Sequence, residues 1–575
     1  MASACLSLAT LAEAQRAAST IAAAGSQTYP VIATNGAVTW VVWTDFVHAW
    51  CSGSTDGGAT WTGAVGVDRS QSCRAGDARI ALTTGAVHVV WTGSSSCGPF
   101  APFDIGIRYN RSTDNGTTWL PADALLSGSP LIPAYRPQIA AFGSKLFVVW
   151  EDNRVSVINV YFSRSLDAGT TWSPPVRLDT DLPTAAHSTR PRLVATGSTV
   201  CVTWVDGRHG VPSVYCNRSL DDGTTWLAAD VRVNNGTIPG QFWANEPEIT
   251  ADGLSVCIVW RDNRHWTTPY GSDADIFANR SLDGGATWAT DGRVGPGPTS
   301  GVIQCLEART ARNGSTVHVA WLDKRGGVWD PFAKRSLDGG ATWLPVETRL
   351  NGGQVSGVAF AMMPVIAATP AVVSVAWLGF PAPPSYYDLF SNRSVDGGAT
   401  WAPVETRLDT TPAGSSSSSF HALAAAGDTV RATWIEGSSI VANLPFGFVR
   451  RGTGMAGTGG FVPLLAGNGL PVIGGAFTID LNSGLGGTIG VLAVGDPTAA
   501  VSIPLFGGTL LVSPILTLTA VLGGTSPGTG TWSQPIVVPA TGALLGFGLD
   551  LQMLLLDAGS PSGFVFTNAV EAWIG

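Results

Sequence analysis

The chain has 575 residues, a formal net charge of −9 and a pI near 5.3. That length exceeds what one hydrophobic core organises, so two or more domains are expected. The acidic balance argues against nucleic acid or an anionic membrane surface as the main partner, and no run of about eighteen apolar residues predicts a transmembrane helix.

From the N-terminus, Ala4–Ala12 followed by Ala12-Glu13-Ala14 has the small, apolar character of a signal-peptide end without its basic start, and is read as a truncated leader. The next four hundred residues are punctuated by seven copies of Ser-x-Asp-x-Gly-x-Thr-Trp: 54–61, 112–119, 165–172, 219–226, 281–288, 336–343 and 394–401. A spacing of 53 to 62 residues implies an array whose units bury their apolar faces against neighbours. Ser and Asp cap backbone N–H groups in a tight turn, Gly supplies positive φ, and Trp packs beneath.

A second landmark occurs eight times: an alternating strand ending at Trp43, Trp91, Trp150, Trp204, Trp260, Trp321, Trp377 or Trp434. Thirteen residues earlier stand Pro30, Ala78, Pro137, Pro191, Pro247, Ala308, Pro364 and His421. The constant offset predicts strand A, a turn and strand B in each unit, then strand C, the Asp turn and strand D. Eight such sets against seven Asp turns leave one unit short of its last strand, which the stretch around Gln15–Thr20 supplies by closing the ring. Eight blades are favoured over seven plus an extra hairpin.

The Ser-x-Asp-x-Gly-x-Thr-Trp phrase resembles the Asp-box (BNR) repeat of the sialidase-like β-propeller family, over residues 29–450. The resemblance implies an all-β propeller, with a Tyr nucleophile, an acidic partner and three Arg at one channel mouth. The family's Phe/Tyr-Arg-Ile-Pro phrase is matched only partly, by Tyr135-Arg136-Pro137 in the third unit and Thr189-Arg190-Pro191 in the fourth; the first unit has Tyr29-Pro30 without Arg.

Asp turns join strands C and D, so Asp56, Asp114, Asp167, Asp221, Asp283, Asp338 and Asp396 lie on the face away from such a mouth and are read as structural. The functional face begins where strand A enters the channel. Fourteen residues before each landmark Trp stand Tyr29, Asp77, Arg136, Arg190, Glu246, Glu307, Met363 and Phe420; twelve before stand Val31, Arg79, Gln138, Arg192, Glu248, Arg309, Val365 and Ala422. Strand period two points both sets to one face. Tyr29, Asp77, Glu246 and Glu307 are the candidate catalytic groups, for nucleophilic or acid–base work on a glycosidic bond. Arg79, Arg136, Arg190, Arg192, Glu248 and Arg309 are candidate substrate-binding groups, because guanidinium grips carboxylates bidentately. Trp243, Trp266 and Tyr270 join them as stacking rings in loops, in a set that includes Phe242, Trp329, Tyr386 and Tyr387. The alternative is a ring of inter-blade ion pairs around a water-filled channel.

Four landmarks continue as Trp-x-Asp-x-Arg: Asp152/Arg154, Asp206/Arg208, Asp262/Arg264 and Asp323/Arg325. They are read as structural blade-to-blade bridges with Asp275, Asp330 and Asp388 as partners. No Cys/His spacing forms a zinc site; Asp273 and Asp275 offer too few oxygens for a structural calcium, and no cofactor is expected. Eight cysteines in a β-rich chain fit an oxidising compartment, with Cys201–Cys216 and Cys73–Cys97 as plausible pairs.

At Arg450-Arg451 the composition shifts. Residues 451–460 read as a Gly-rich linker, and 461–575, without Lys or Arg, as an Ig-like β-sandwich accessory or attachment domain following a propeller of 15–450. The expectation is a secreted or cell-surface, bacterial, sialidase-like propeller that binds acidic extracellular glycans or glycoproteins, with hydrolysis the chemistry its paired carboxylates would allow; the alternative is non-catalytic recognition of carbohydrate or protein at a cell surface.

Overall fold

The computed structural model describes residues 19–22, 28–36, 38–55, 58, 60–69, 74–94, 105–129, 132–265, 274–295, 304–353, 360–370, 372–380, 386–394, 396–403, 405–409, 417–426, 429–442, 447–451, 454–469, 476–496, 501–539 and 548–573. The chain divides into two compact units, one of residues 20–443 and one holding 444–575.

The first unit is a β-propeller made of four-stranded antiparallel sheets, eight among the described residues. Their inner strands are Thr28–Thr34, Arg74–Thr83, Ala134–Phe142, Ser188–Thr196, Ala244–Asp252, Cys305–Asn313, Phe360–Ala368 and Ser418–Ala426; the sheets are numbered here as blades 1 to 8 in that order. Each inner strand lies beside that of the next blade, and Ser418–Ala426 lies beside Thr28–Thr34, so the ring closes. The last blade takes its fourth strand from the start of the chain: Ser19–Ala22 flanks Ser439–Ala442. Of the Gln15–Thr20 stretch expected there, Ser19 and Thr20 lie in this strand; residues 15–18 lie outside the described residues.

The second strand of each blade is sandwiched between neighbouring blades, so it is apolar on both faces rather than alternating. Lys145–Asp152 and Thr199–Asp206, for example, are buried along almost their whole length. The eight landmark tryptophans lie one to three residues before the ends of these strands and are at most 2% exposed, each burial contributing about 1.5–3 kcal/mol. Apolar clusters fill the spaces between adjacent blades, and the Trp of an Asp turn packs into each of seven. Trp172 meets Tyr109 edge-on at 4.7 Å, and Trp226 meets Phe162 at 4.9 Å.

The Asp turns are built as their residue types dictate. In the turn at 165–172, Ser165 Oγ donates to Asp167 Oδ1 (2.7 Å) and accepts the Gly169 N–H (2.8 Å), while Asp167 accepts the Thr171 N–H and hydroxyl (2.9 and 2.7 Å). The same set recurs at Asp114, Asp221, Asp283, Asp338 and Asp396; Asp56 lies outside the described residues. These turns also latch blades together. The arginine before the motif reaches a carbonyl in the next blade's turn: Arg111 to Ala168, Arg164 to Asp222, Arg280 to Asp338 and Arg335 to Gly397.

The second unit is a β-sandwich. One sheet orders its strands Gly447–Arg451, Phe564–Trp573, Gly548–Leu556, Ile489–Gly495, Pro514–Val521; the other orders Leu464–Gly469, Ala476–Leu485, Pro527–Val537. Both contribute to a single core that includes Leu465, Phe477, Leu492, Leu551 and Val570. Two domain boundaries differ from the expectation. Residues 447–451 pair with Phe564–Trp573 and belong to the sandwich rather than the propeller. Residues 454–460 are not a free linker: the Met455 N–H donates to Phe566 O (2.8 Å) and the Thr458 N–H to Asp557 Oδ2 (2.7 Å). Glycine content there serves close packing instead, since a Cβ on Gly457 would meet Asp557.

Two further expectations are corrected. Cys201 and Cys216 are buried free thiols with sulfurs 3.0 Å apart, not a disulfide; Cys73 and Cys97 lie outside the described residues. Each Trp-x-Asp-x-Arg pairs its Asp with its own Arg, and in three of the four the Arg finds its second carboxylate in the same blade; Arg154 instead reaches the Ser127 carbonyl after the last strand of blade 2. Asp206 accepts the Trp204 indole N–H (3.1 Å) and both the Nε and Nη2 of Arg208 (2.8 and 2.6 Å). Arg208 stacks 4.1 Å over Tyr215 and reaches Asp230 of the same blade at 2.6 Å. Arg154, Arg264 and Arg325 repeat the Asp pairing and the ring stacking. Asp275, Asp330 and Asp388 pair instead with Arg293, Arg349 and Arg407. The offset of two residues keeps each Asp within reach of the Arg of its own motif, so its charge is balanced without a partner blade.

Candidate functional site

Every inner strand carries a β-bulge, and the residue fourteen before the landmark Trp sits in it. Tyr29, Asp77, Arg136, Arg190, Glu246, Glu307, Met363 and Phe420 all have φ between 36° and 57°, a left-handed conformation that costs an L-residue about 1–2 kcal/mol. Register slips at this point in every blade, for example between Tyr135 and Gln138 and between Asn245 and Glu248. Strict alternation is therefore interrupted, and the two predicted sets form two tiers rather than one continuous face. The following residue, proline in five blades, is buried in seven of the eight, which wedges each bulge in place.

The upper tier runs through blades 3 to 6. Arg136 Nη1 donates to both oxygens of Glu151 (3.1 and 3.3 Å). The bulge frees the backbone N–H of Arg190 to donate to the same Glu151 across the blade boundary (2.7 Å). Arg190 Nη1 then reaches Glu246 Oε1 in the next blade (3.3 Å). Arg261 lies in the field of Glu246 and Glu307; burial, above all, lowers its pKa. Burial likewise raises the carboxyl of Glu307, with the charge of Glu246 adding to the rise and the Met363 N–H and Arg309 opposing it. One oxygen of Glu246 and one of Glu307 are buried without a hydrogen-bond partner.

The lower tier sets two guanidinium groups on one carboxylate and a third in its field. Arg192 Nε lies 3.2 Å and Arg309 Nη1 3.6 Å from Glu248 Oε1. Arg79 feels Glu248, Arg192 and Asp77; burial, then the like charge of Arg192, lowers its pKa. Each of these arginines also donates Nη1 to the carbonyl of the preceding residue, Ala78, Pro191 or Ala308. That bond turns the side chain back along its own strand and fixes its reach.

Among the described residues, the predicted groups are thus brought together on blades 2 to 6, with one exception. Tyr29, on blade 1, packs its ring 4.1 Å from Phe420 of blade 8, half a turn of the ring from Glu246 on blade 5. Trp243 is half-buried beside the upper tier, with the Arg261 guanidinium 5.0 Å from its ring. Trp266, Tyr270 and Asp273 lie outside the described residues. Trp329 packs into the core between blades 6 and 7, Tyr387 sits 5.5 Å from Phe380, and Tyr386 is exposed. Among the described residues no cluster of three His, Cys, Asp or Glu is placed to hold a metal ion. Sequence reasoning missed Glu151 and Arg261. Both directly follow a landmark Trp, where the other blades carry Thr44, Thr92, Val205, Leu322, Leu378 and Ile435; a charge at that position in only two blades was the available signal.

No protein-family profile matches the chain, and no curated protein matches it. Among solved structures it is similar to an α-L-arabinanase of Penicillium chrysogenum (15% identity, 53% of this chain and 92% of that one, TM-score 0.34). It is also similar to the polysaccharide lyase Uly1 (11% identity, 65% and 90% covered, TM-score 0.43) and to a Trypanosoma rangeli sialidase (11% identity, 89% and 93% covered, TM-score 0.33).

Proposed function

We propose that the channel mouth recognises an acidic extracellular glycan, held by its carboxylate or sulfate groups, and that the protein is exported to meet it. The observation that carries this reading is the lower tier. Arg192 and Arg309 share one close carboxylate oxygen, Glu248 Oε1, and Arg79 lies in the fields of Glu248 and Asp77, so two guanidinium groups converge on a single carboxylate in a confined, partly desolvated space. An anionic ligand gives these groups a further partner, and guanidinium is the group suited to grip one bidentately. Trp243 beside the upper tier supplies a face for a sugar ring. The arginines of the upper tier are engaged by Glu151 and Glu246, so they organise the mouth more than they offer free donors.

A hydrolytic reading is favoured by one further observation: the raised Glu307 carboxyl beside Glu246, each with an unpartnered oxygen. A carboxyl whose charged form is disfavoured by burial and by a neighbouring carboxylate is the kind of group that general acid chemistry uses. Calorimetry with uronate-containing, sialylated, sulfated and neutral oligosaccharides tests recognition. Acidic ligands are expected to bind and neutral ones not, with Arg192→Ala and Arg309→Ala each weakening binding about tenfold or more, as lost charge-assisted contacts do. Equal binding of neutral and acidic sugars would reject the reading. A fluorogenic glycoside panel on wild type and Glu307→Gln separates hydrolysis from recognition: turnover abolished by the substitution supports the enzyme, and no turnover leaves a binding propeller.

A further inference from the structure

The strand edges of the C-terminal sandwich are protected unequally. The edge strand Gly447–Arg451 ends in Arg450-Arg451, Pro527–Val537 is interrupted by Pro535, and Leu464–Gly469 carries Gly467 and Gly469. Charges, prolines and glycines of this kind keep sheet edges from pairing with other chains. The fourth edge, Pro514–Val521, has proline only at its first position and no charge. Among the described residues nothing pairs with its outer side.

Its side chains are exposed as well. Ile515 is 57% and Val521 67% exposed, and Thr517 and Thr519 are exposed between them. The neighbouring strand continues the apolar surface with Ile489 and Val491. Residues 461–575 contain no Lys, Arg or His and only five acidic residues, Asp480, Asp496, Asp550, Asp557 and Glu571. Two copies of this region therefore meet without a strong opposing charge on either side.

The order of residues names the occupant. Read antiparallel about Leu518, the strand matches itself: Thr517 falls opposite Thr519, Ile515 opposite Val521, and Leu516 opposite Ala520. Leu518 faces its own copy on the dyad. The outward set, Thr and β-branched aliphatic, meets itself, and so does the opposite set of Leu516, Leu518 and Ala520, of which Leu518 and Ala520 pack on the sandwich core. We propose that Pro514–Val521 pairs with the same strand of a second copy of this chain, joining two five-stranded sheets across a two-fold axis. Such a contact is self-complementary and closed, so it stops at two copies rather than growing. The inference is independent of what the channel mouth binds.

Sedimentation velocity of the full chain tests it. Wild type is expected to sediment as a dimer of the 59.4 kDa chain at micromolar concentration. The double variant Thr517→Lys/Thr519→Lys sets like charges against each other at both cross-dyad positions and is expected to be monomeric. Thr517→Lys/Thr519→Glu sets opposite charges there and is expected to restore the dimer, an outcome that only this register produces. Both positions of charge are exposed in the monomer, so circular dichroism melts should coincide. A monomeric wild type, a dimeric lysine pair, or open-ended aggregates in place of dimers would each overturn the proposal.

Discussion

Two buried aspartates in equivalent positions show how much a single partner matters. Asp152 and Asp206 are both 0% exposed, and each accepts an indole N–H and a bidentate arginine. Arg208 has a second carboxylate, Asp230, whereas Arg154 has only the Ser127 carbonyl besides Asp152. Removing Asp152 therefore leaves a partly buried guanidinium without a counter-charge, and such losses cost about 3–5 kcal/mol. Asp152→Ala is expected to lose about 3 kcal/mol, and Asp206→Ala clearly less; urea unfolding of the two variants checks the order. At this scale the sequence was partly legible. The in-phase Trp-x-Asp-x-Arg recurrence identified these groups as structural, but not their partners, because a strand pattern tells which face a side chain takes and not which of several nearby carboxylates it reaches. The same limit hid Glu151. It stands where six of the other seven blades carry an uncharged residue, and its role follows from a backbone N–H that the bulge at Arg190 frees.

The turn and the bulge are the two repeated elements, and they differ in legibility. Ser, Asp, Gly and Thr in the turn each have a local reason to be there, so their hydrogen bonds follow from the motif. The bulge places Tyr, Asp, Arg, Glu, Met and Phe at positive φ, and none of these types announces it; the proline that follows in five blades was the nearest signal, and it equally fits an ordinary strand start. The turns carry a pH dependence. Hydrogen bonds from the Thr118 N–H and hydroxyl hold Asp114 down to about 2, and those from Thr171 hold Asp167 there. At Asp283, Asp338 and Asp396 burial pushes the carboxyl up, but hydrogen bonds from Thr287, Thr342 and Thr400 outweigh it, again to about 2. Folded values below the unfolded 3.8 mean that the unfolded chain takes up protons first as pH falls. The stabilisation is complete above about pH 4 and is lost as pH drops through 2. His88 and His318 act earlier: burial holds both at about 4 against 6.5 in the unfolded chain, so they erode stability between those values. Melting temperature is therefore expected to fall from pH 6.5 to 4 and again below 4. Asp338→Asn should flatten only the lower limb, and a variant that flattened the upper one instead would contradict the assignment.

A ring of blades is stable only if its ends meet, because each blade buries its flat face against two neighbours and an open ring would expose two of them. Here the first and last blades meet twice. The inner strand Thr28–Thr34 lies beside Ser418–Ala426, and Ser19–Ala22 completes the last sheet against Ser439–Ala442. The apolar cluster at this seam joins Ile21 to Ile32, Trp43, Ile435 and Ile440, so the strand contributes packing as well as edge hydrogen bonds. Counting eight landmark tryptophans against seven Asp turns was enough to foresee that the chain's start closes its own ring, since a missing fourth strand leaves an edge that something must cover. The exact strand was less legible: its four residues carry neither landmark. Deleting residues 1–27 removes this strand and leaves Ser439–Ala442 as an open edge. The truncated chain is expected to unfold at a lower denaturant midpoint, by about 2–3 kcal/mol for the loss of a buried Ile and its strand pairing, and to aggregate more readily. A synthetic peptide of residues 15–27 should recover part of the lost midpoint in a concentration-dependent way, because it binds the folded ring and not the unfolded chain. If truncated and full-length chains unfolded at the same midpoint, closure would rest on the inner strands alone.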